Sequence, residues 1–298
     1  MNSLQFHPPE LNSMTVTDSI AYVSRKIAAT KLHKLSEALR RYYPIKTGST
    51  TIRDFDGDLR IFVDRASYVS SAIYWRGNHS TEVATFLKRH LQPDMTFVDV
   101  GANLGELTLV AAKRLPKGRV LAFEPVPQIF AQLSRNVALN NLACVELFNF
   151  GLFDRTDSLP IYRQQDINFG TINEGVPSLF STGTDREEVS VLLRRFDDVA
   201  LEYRLERLDV MKIDVEGAEL MVLRGAEPFI RRFRPLIITE LSQLNFQRAG
   251  YTSTDLIDYL RSLEYDVQIL DDHRKLPTHP CDAVCIPRSR AELSPCSS

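Results

Sequence analysis

The stretch Thr96-Phe97-Val98-Asp99-Val100-Gly101-Ala102-Asn103-Leu104-Gly105 decides the fold. A short apolar run ends in an acid and passes into a turn with two glycines. Glu106 to Arg114 then reads as a helix carrying Leu107, Leu109 and Val110. A strand, a tight glycine turn and a helix form the cradle in which α/β proteins hold a nucleotide-like ligand. Gly101 lets the backbone turn sharply at the carboxyl end of the strand. Gly105 lets a ligand or neighbouring strand approach the helix start. The dinucleotide fingerprint needs a glycine where this chain has Asn103. That departure argues against a pyrophosphate on the helix N-terminus and leaves room for a cofactor without phosphate.

One strand later comes Gly118-Arg119-Val120-Leu121-Ala122-Phe123-Glu124-Pro125. Glu124 ends the second apolar run, about 20 residues past the glycine turn, where an acid can accept hydrogen bonds from both hydroxyls of a ribose. The third landmark is Asp209-Val210-Met211-Lys212-Ile213-Asp214-Val215-Glu216-Gly217-Ala218-Glu219, a strand delivering acids to the same sheet edge. On these three stretches the chain resembles the FkbM family of S-adenosylmethionine-dependent methyltransferases. The family's patterns Asp-Val-Gly-Ala-Asn-x-Gly and Lys-Ile-Asp-Val-Glu-Gly-Ala-Glu both stand unbroken here, and the resemblance runs from about Tyr74 to Pro287. It implies a doubly wound, Rossmann-like α/β sheet of the class I methyltransferase type, with seven strands and the last antiparallel. It also implies S-adenosylmethionine as cofactor and a hydroxyl oxygen of a sugar or secondary metabolite as methyl acceptor.

Composition is that of an ordinary folded domain: 298 residues, 44% hydrophobic and 25% charged. A net charge of −2 gives no electrostatic reason to expect nucleic acid. No apolar run is long enough to span a bilayer, and Met1 to Glu10 lacks the basic flank and apolar stretch of a secretory signal. Cys144, Cys281, Cys285 and Cys296 are too few and too dispersed for a disulfide framework. Cys281 and Cys285 lie near His279, but their spacing puts both on one face of a strand and favours small buried hydrophobes over a metal site. A cytoplasmic location is expected.

The expected organisation is an N-terminal extension over residues 1–75 and a catalytic domain over 76–298. Met1 to Met14 reads as a tail. Thr15 to Tyr43 reads as one amphipathic helix, with Ile20, Val23, Ile27, Leu35 and Leu39 on one face and Arg25, Lys26, Lys31, Lys34, Arg40 and Arg41 on the other. Packing on the domain or on a second copy is expected for it, with reversible contact to anionic lipid as the alternative and no stable membrane insertion. Thr50 to Tyr74 alternates as a β-hairpin around Asp56-Gly57-Asp58. Strands are expected at Thr96–Val100, Val120–Phe123, Cys144–Phe150, Val210–Val215, Pro235–Glu240, Tyr265–Leu270 and Ala283–Ile286, with helices over Ala218–Phe233 and Ser253–Leu263. The polar, irregular segment from Ile161 to Glu188 reads as a lid or acceptor-binding loop, with a plain surface insertion as the alternative.

The resemblance points to Glu82, Asp99, Gly101, Asn103, Gly105, Glu124 and Gly151 as the cofactor-binding set, with Asn149 a weaker candidate. Each has a second reading. Asp99 meets the cofactor's amino-acid end directly or acts through backbone geometry, Asn103 serves the turn or the cofactor, and Glu82 contacts the cofactor or merely suits a helix start. A hydroxyl acceptor needs a base. Asp214 is the first candidate, with Glu216 and Glu240 in support, because strands four and five should be neighbours and both end in acids. His79 is a remote alternative. The three carboxylates could also hold a divalent cation, although no dedicated metal site is assigned. Lys212 serves a structural ion pair or catalysis. The partner expected is a small-molecule or glycan acceptor, and a homo-oligomer stays open. Rival readings are a nicotinamide-dependent oxidoreductase and a non-catalytic Rossmann-like binding module.

Overall fold

The computed structural model of the chain describes residues 16–28, 30, 33–42, 48–65, 67–166, 173–174, 178–180, 186–270 and 280–288. Helices α1 (Val16–Ala28) and α2 (His33–Tyr42) come first, then the hairpin β1 (Ser49–Phe55) and β2 (Leu59–Asp64), then α3 (Tyr68–Arg76) and α4 (Thr81–His90). The alternating part opens with β3 (Thr96–Val100), α5 (Glu106–Arg114), β4 (Arg119–Phe123), α6 (Pro127–Ala138) and β5 (Val145–Phe148). A side sheet follows: β6 (Gly151–Leu152), β7 (Asp157–Asp166), β8 (Asn173–Glu174) and β9 (Arg186–Arg194). Then come α7 (Phe196–Glu202), β10 (Val210–Ile213), α8 (Glu219–Gly225), α9 (Glu227–Phe233), β11 (Leu236–Leu241), α10 (Gln243–Arg248), α11 (Ser253–Ser262), β12 (Tyr265–Ile269) and β13 (Cys281–Pro287).

The main sheet has the order β12-β13-β11-β10-β3-β4-β5. β3 pairs in parallel with β4 and β10, β4 with β5 and β10 with β11, while β13 runs antiparallel between β11 and β12. Seven strands with the last reversed is the expected topology. Alternate residues feed opposite cores: Phe97, Val120, Val210 and Ile238 enter one, Val98, Leu121, Met211 and Ile237 the other. Both faces are therefore covered, which is why these strands read as near-continuous apolar runs. The order in which strands are added reverses between β3 and β10, and in such sheets the ligand crevice opens beyond the carboxyl ends at that point.

Several expectations need correcting. The single helix from Thr15 to Tyr43 is two, because the hydroxyl and N–H of Thr30 both turn back to Ile27 O, at 2.7 and 3.0 Å, and end the first. Its apolar stripe is also imperfect, for Val23 and Leu35 are exposed while Ala21 is buried. Arg25 lies inward and donates to Tyr74 O at 2.9 Å and Asp54 Oδ1 at 2.7 Å, so part of the basic face is spent on the fold. The tail before residue 16 and Lys31 lie outside the described residues. The hairpin stops at Asp64, since Ser67 caps a new helix through Ser70 N and Gly77, at φ +89°, closes it. That helix buries Ala72, Ile73, Tyr74 and Trp75 in succession, so it has no polar face to announce its period. The helix expected from Ala218 to Phe233 breaks at Ala226, because Pro228 cannot donate to a continuing helix. The irregular segment begins and ends as strand, β7 pairing antiparallel with β9 from Asp157↔Leu193 to Gln164↔Arg186, and much of its centre lies outside the described residues. Cys281 and Cys285 lie together on β13 facing the second core, whereas His279 and Cys296 lie outside the described residues. Among the described residues no helix is long and apolar enough to cross a membrane.

Candidate active site

A cavity of about 500 Å³ opens beyond the carboxyl ends of β3, β4 and β10. One wall is the glycine turn. Gly101 sits at φ +75°, and a Cβ there would stand 2.0 Å from Asp214 O, so the backbone after β10 takes the space a side chain needs. Gly105, at φ +95°, faces Leu133 and not the cavity. Asn103 adopts φ +50°, which its residue type tolerates, and its Oδ1 accepts Leu104 N–H at 2.7 Å. This is the turn-stabilising reading of Asn103, although the residue still lines the cavity. Glu124 accepts Asn103 N–H on Oε2 and Val126 N–H on Oε1, each at 3.0 Å. Burial pushes its carboxyl up to about 7. Gly151 lines the same wall beside Val126, Ile129 and Leu152, while Asn149 instead braces the carbonyls of Glu124 and Pro125.

Asp99 is fully enclosed. Thr108 Oγ1 donates to its Oδ2 at 2.6 Å, and Lys212 Nζ stands 3.6 Å from its Oδ1. Lys212 pairs with Asp99 across β10 and β3 in direct register, reaches Asp214 Oδ2 at 3.6 Å and donates to Gly101 O at 2.8 Å. Burial alone would discharge this amine, but Asp214, Asp99 and Asp282 outweigh it and hold it charged. The lysine thus ties the two sequence motifs together.

Beside the turn, at the mouths of β10 and β11, the lining is acidic. Asp214, Glu216 and Glu240 each offer a carboxylate oxygen, and the three lie within 4.8 Å of one another. That spacing suits one divalent cation or a proton-sharing cluster. Glu216 stands in left-handed backbone at φ +54°, held by Asn245 Nδ2 on its Oε2 at 2.7 Å and Ser178 Oγ on its carbonyl at 2.9 Å. Burial, with the charges of Asp214 and Glu219, pushes Glu216 up to about 8. Burial and the same neighbours push Glu240 up to about 10, and its Oε2 is buried with no hydrogen bond. Glu219 starts α8 but turns back to accept Val215 N–H and Gly217 N–H, each at 3.0 Å. Glu82 is not among the residues that line the cavity. It lies exposed in the first turn of α4, where an acid suits the helix dipole.

The family model for the "Methyltransferase FkbM domain" matches residues 99–267, from the acid of the first motif to the sixth strand of the main sheet. The chain belongs to the FkbM methyltransferase family. Methyltransferase sdnD of Sordaria araneosa is 34% identical over 154 residues, which cover 44% of this chain and 60% of that protein. The 31-O-demethyl-FK506 methyltransferase FkbM of Streptomyces tacrolimicus is 30% identical over 159 residues, covering 46% and 61%. The 2-O-methyltransferase NoeI of Sinorhizobium fredii is 27% identical over 187 residues, covering 59% and 75%. The chain therefore spans about three fifths of the length of the first two of these relatives.

Glu106 escaped the motif reading of this FkbM-family site, and His79 entered it only as a remote alternative base. Glu106, the first residue of α5, is buried and accepts the backbone N–H groups of His79 and Ser80, at 2.8 and 3.2 Å to Oε1. Burial pushes it up to about 7. His79 also lines the cavity. The signal for Glu106 stood in the sequence as an acid at the start of a helix, but that pattern also describes any solvated helix cap. His79 lies 20 residues ahead of Asp99, and only the α3–α4 turn brings it to the sheet edge.

Proposed function

We propose that the chain transfers a methyl group from S-adenosylmethionine to a hydroxyl oxygen of a small-molecule or glycan acceptor, a sugar or secondary metabolite. The observation that carries this reading is the chemistry at the start of α5. A buried carboxyl, Glu106, occupies the helix N-terminus, and the turn's free N–H groups are taken by Asn103 Oδ1 and Glu124. A pyrophosphate would meet a buried carboxyl there and find the N–H groups of Asn103 and Leu104 already taken, which disfavours the nicotinamide reading. A nucleoside with a sulfonium and no phosphate suits the same cradle. Glu124 would hold the ribose hydroxyls through the lone pairs left on its carboxylate, with Val126, Ile129, Leu152 and Gly151 beside the base. Gly101 and Asn103 would shape the cradle's floor, and Asp99 would act through Lys212 and the turn, not by touching the cofactor.

When bound, the sulfonium supplies an already activated methyl group, so the protein's task is alignment and proton removal. The acidic wall of Asp214, Glu216 and Glu240 is the acceptor side of this reading. Burial and the crowding of negative charge favour the protonated forms of Glu216 and Glu240, which would donate hydrogen bonds to acceptor oxygens, whereas Asp214 answers Lys212. The relatives named as O-methyltransferases support oxygen as the acceptor atom. A second reading has the three oxygens hold a divalent cation that activates the hydroxyl.

The test is a thermal shift with S-adenosylmethionine and with a nicotinamide dinucleotide, followed by methyl transfer from labelled cofactor to methyl glycosides, phenols and macrolides, with and without EDTA. Stabilisation by S-adenosylmethionine alone is expected, since a ligand that binds only the native state raises its melting temperature. No shift and no transfer would defeat the reading. Transfer abolished by EDTA would favour the cation version.

A further inference from the structure

We propose that His79 is the base of the transfer, accepting the acceptor's hydroxyl proton on Nε2, with Asp214 as counter-charge to the imidazolium that results. The proposal rests on the methyltransferase reading and assigns a residue to its proton step. The placement of His79 is built in. Gly77 ends α3 in the left-handed region and turns the chain toward the cavity. Glu106 then fixes the backbone N–H of His79 and Ser80, so the histidine is anchored to the first turn of α5, beside the glycine cradle. The ring packs edge-on against Tyr68, with centroids 5.7 Å apart, and Nδ1 stands 3.3 Å from Ser80 Oγ. With Nδ1–H donating to that hydroxyl, Nε2 carries the bare lone pair a base requires. Among the described residues no hydrogen bond reaches Nε2, and the residue lines the cavity.

The surrounding charges fit the role. Burial favours the neutral ring, Asp214 opposes this, and Arg76 and Lys212 reinforce it, so the imidazole lies below its usual range and is unprotonated at neutral pH. Glu106 faces its backbone with both oxygens engaged by N–H groups. The competing acids are less free. Asp99 is held by Thr108 and Lys212, Glu124 by two backbone N–H groups, and Glu216 by Asn245. Asp214 acts on His79 through its charge, which favours a cation formed on the ring. In the step, the hydroxyl oxygen forms a bond to the methyl carbon, the sulfur keeps the electron pair of the bond it loses, and the proton passes to Nε2. Positive charge thus moves from sulfonium to imidazolium, and no other reactant is needed.

The experiment has two arms. The first is NMR of ¹⁵N-histidine-labelled protein saturated with S-adenosylmethionine, with His79→Gln used to assign the signal. A neutral ring at pH 7 with its proton on Nδ1, titrating below about 6.5, is expected. A protonated ring, or the Nε2–H tautomer, overturns the proposal. The second compares His79→Gln and His79→Asn with the parent, using whichever methyl glycoside, phenol or macrolide the parent methylates. Expected are an unchanged dissociation constant for S-adenosylmethionine by calorimetry, a fall in kcat of about 10²–10⁴ and loss of the acid limb of the kcat–pH profile. A fall of less than tenfold, or an acid limb that survives, overturns the assignment of His79 alone. Failure of the parent to bind the cofactor or transfer methyl overturns the functional reading and this assignment with it.

Discussion

The two walls of the cavity are built on opposite terms. Along the glycine turn most polar groups are matched within the chain: Asn103 serves Leu104, Glu124 serves Asn103 and Val126, and Thr108 serves Asp99. The other Asp99 oxygen lacks a hydrogen bond but faces the Lys212 charge at 3.6 Å. At the mouths of β10 and β11 the balance fails. Three carboxylates crowd within 4.8 Å, Glu240 Oε2 lacks a hydrogen bond, and Glu216 is held in left-handed backbone. A matched wall is rigid and suits a ligand that is the same at every turnover. An unmatched wall stores unfavourable electrostatics and strain, which a structure keeps where chemistry needs them and offsets elsewhere.

The largest expected effect breaks the matched wall. Gly101→Ala puts a methyl against Asp214 O at an impossible 2.0 Å and forces an L side chain to φ +75°, so a loss above about 3 kcal/mol, or failure to fold, should appear in urea unfolding. A loss below 1 kcal/mol would mean that the approach of the two loops is not fixed. Glu124→Ala comes next. It should weaken S-adenosylmethionine by about 1–3 kcal/mol in calorimetry, the cost of unmet polar partners, and unchanged affinity would remove Glu124 from the cofactor site. The smallest effect sharpens the contrast through pH. Burial raises Glu106, Glu124 and Glu219 to about 7, Glu216 to about 8 and Glu240 to about 10. A raised carboxyl contributes stability that is complete below its unfolded pKa of about 4.3 and is lost as pH climbs through the folded value. The melting temperature of the ligand-free protein should therefore fall between pH 6 and pH 9. Glu216→Gln and Glu240→Gln should flatten that fall, and a melting temperature that rose over this range would contradict the unmatched wall.

What the sequence disclosed follows the same division. Strand, glycine turn, helix and the acid ending β4 are local patterns, and local patterns fix backbone geometry, so Asp99, Gly101, Asn103 and Glu124 were legible. So was the gathering of Asp214, Glu216 and Glu240, because acids at the ends of adjacent parallel strands must share an edge. Glu82 has the motif neighbourhood of a contact, yet its place in the first turn of α4 leaves it exposed and outside the cavity lining. Glu106 was hidden, and His79 stayed a remote alternative, because their meeting depends on how the α3–α4 turn docks on α5, a long-range event without periodicity. Helix α3 was missed for the converse reason: a helix buried on nearly every side has no alternation to read.

The hairpin ahead of the sheet has a practical consequence. Ile52, Phe55, Leu59, Ile61 and Val63 belong to the same core as Leu107 of α5 and Leu133 of α6. Asn136 Oδ1 accepts Phe62 N–H at 2.7 Å, and Asp56 is gripped by Arg114 at 2.6 Å and Lys88 at 2.7 Å. The segment that carries the family signature begins at residue 99, yet what shields the outer side of that segment's first two helices is encoded upstream. The unit of inheritance and the unit of folding thus have different borders. Anyone trimming this protein to its recognisable half would strip away its roof.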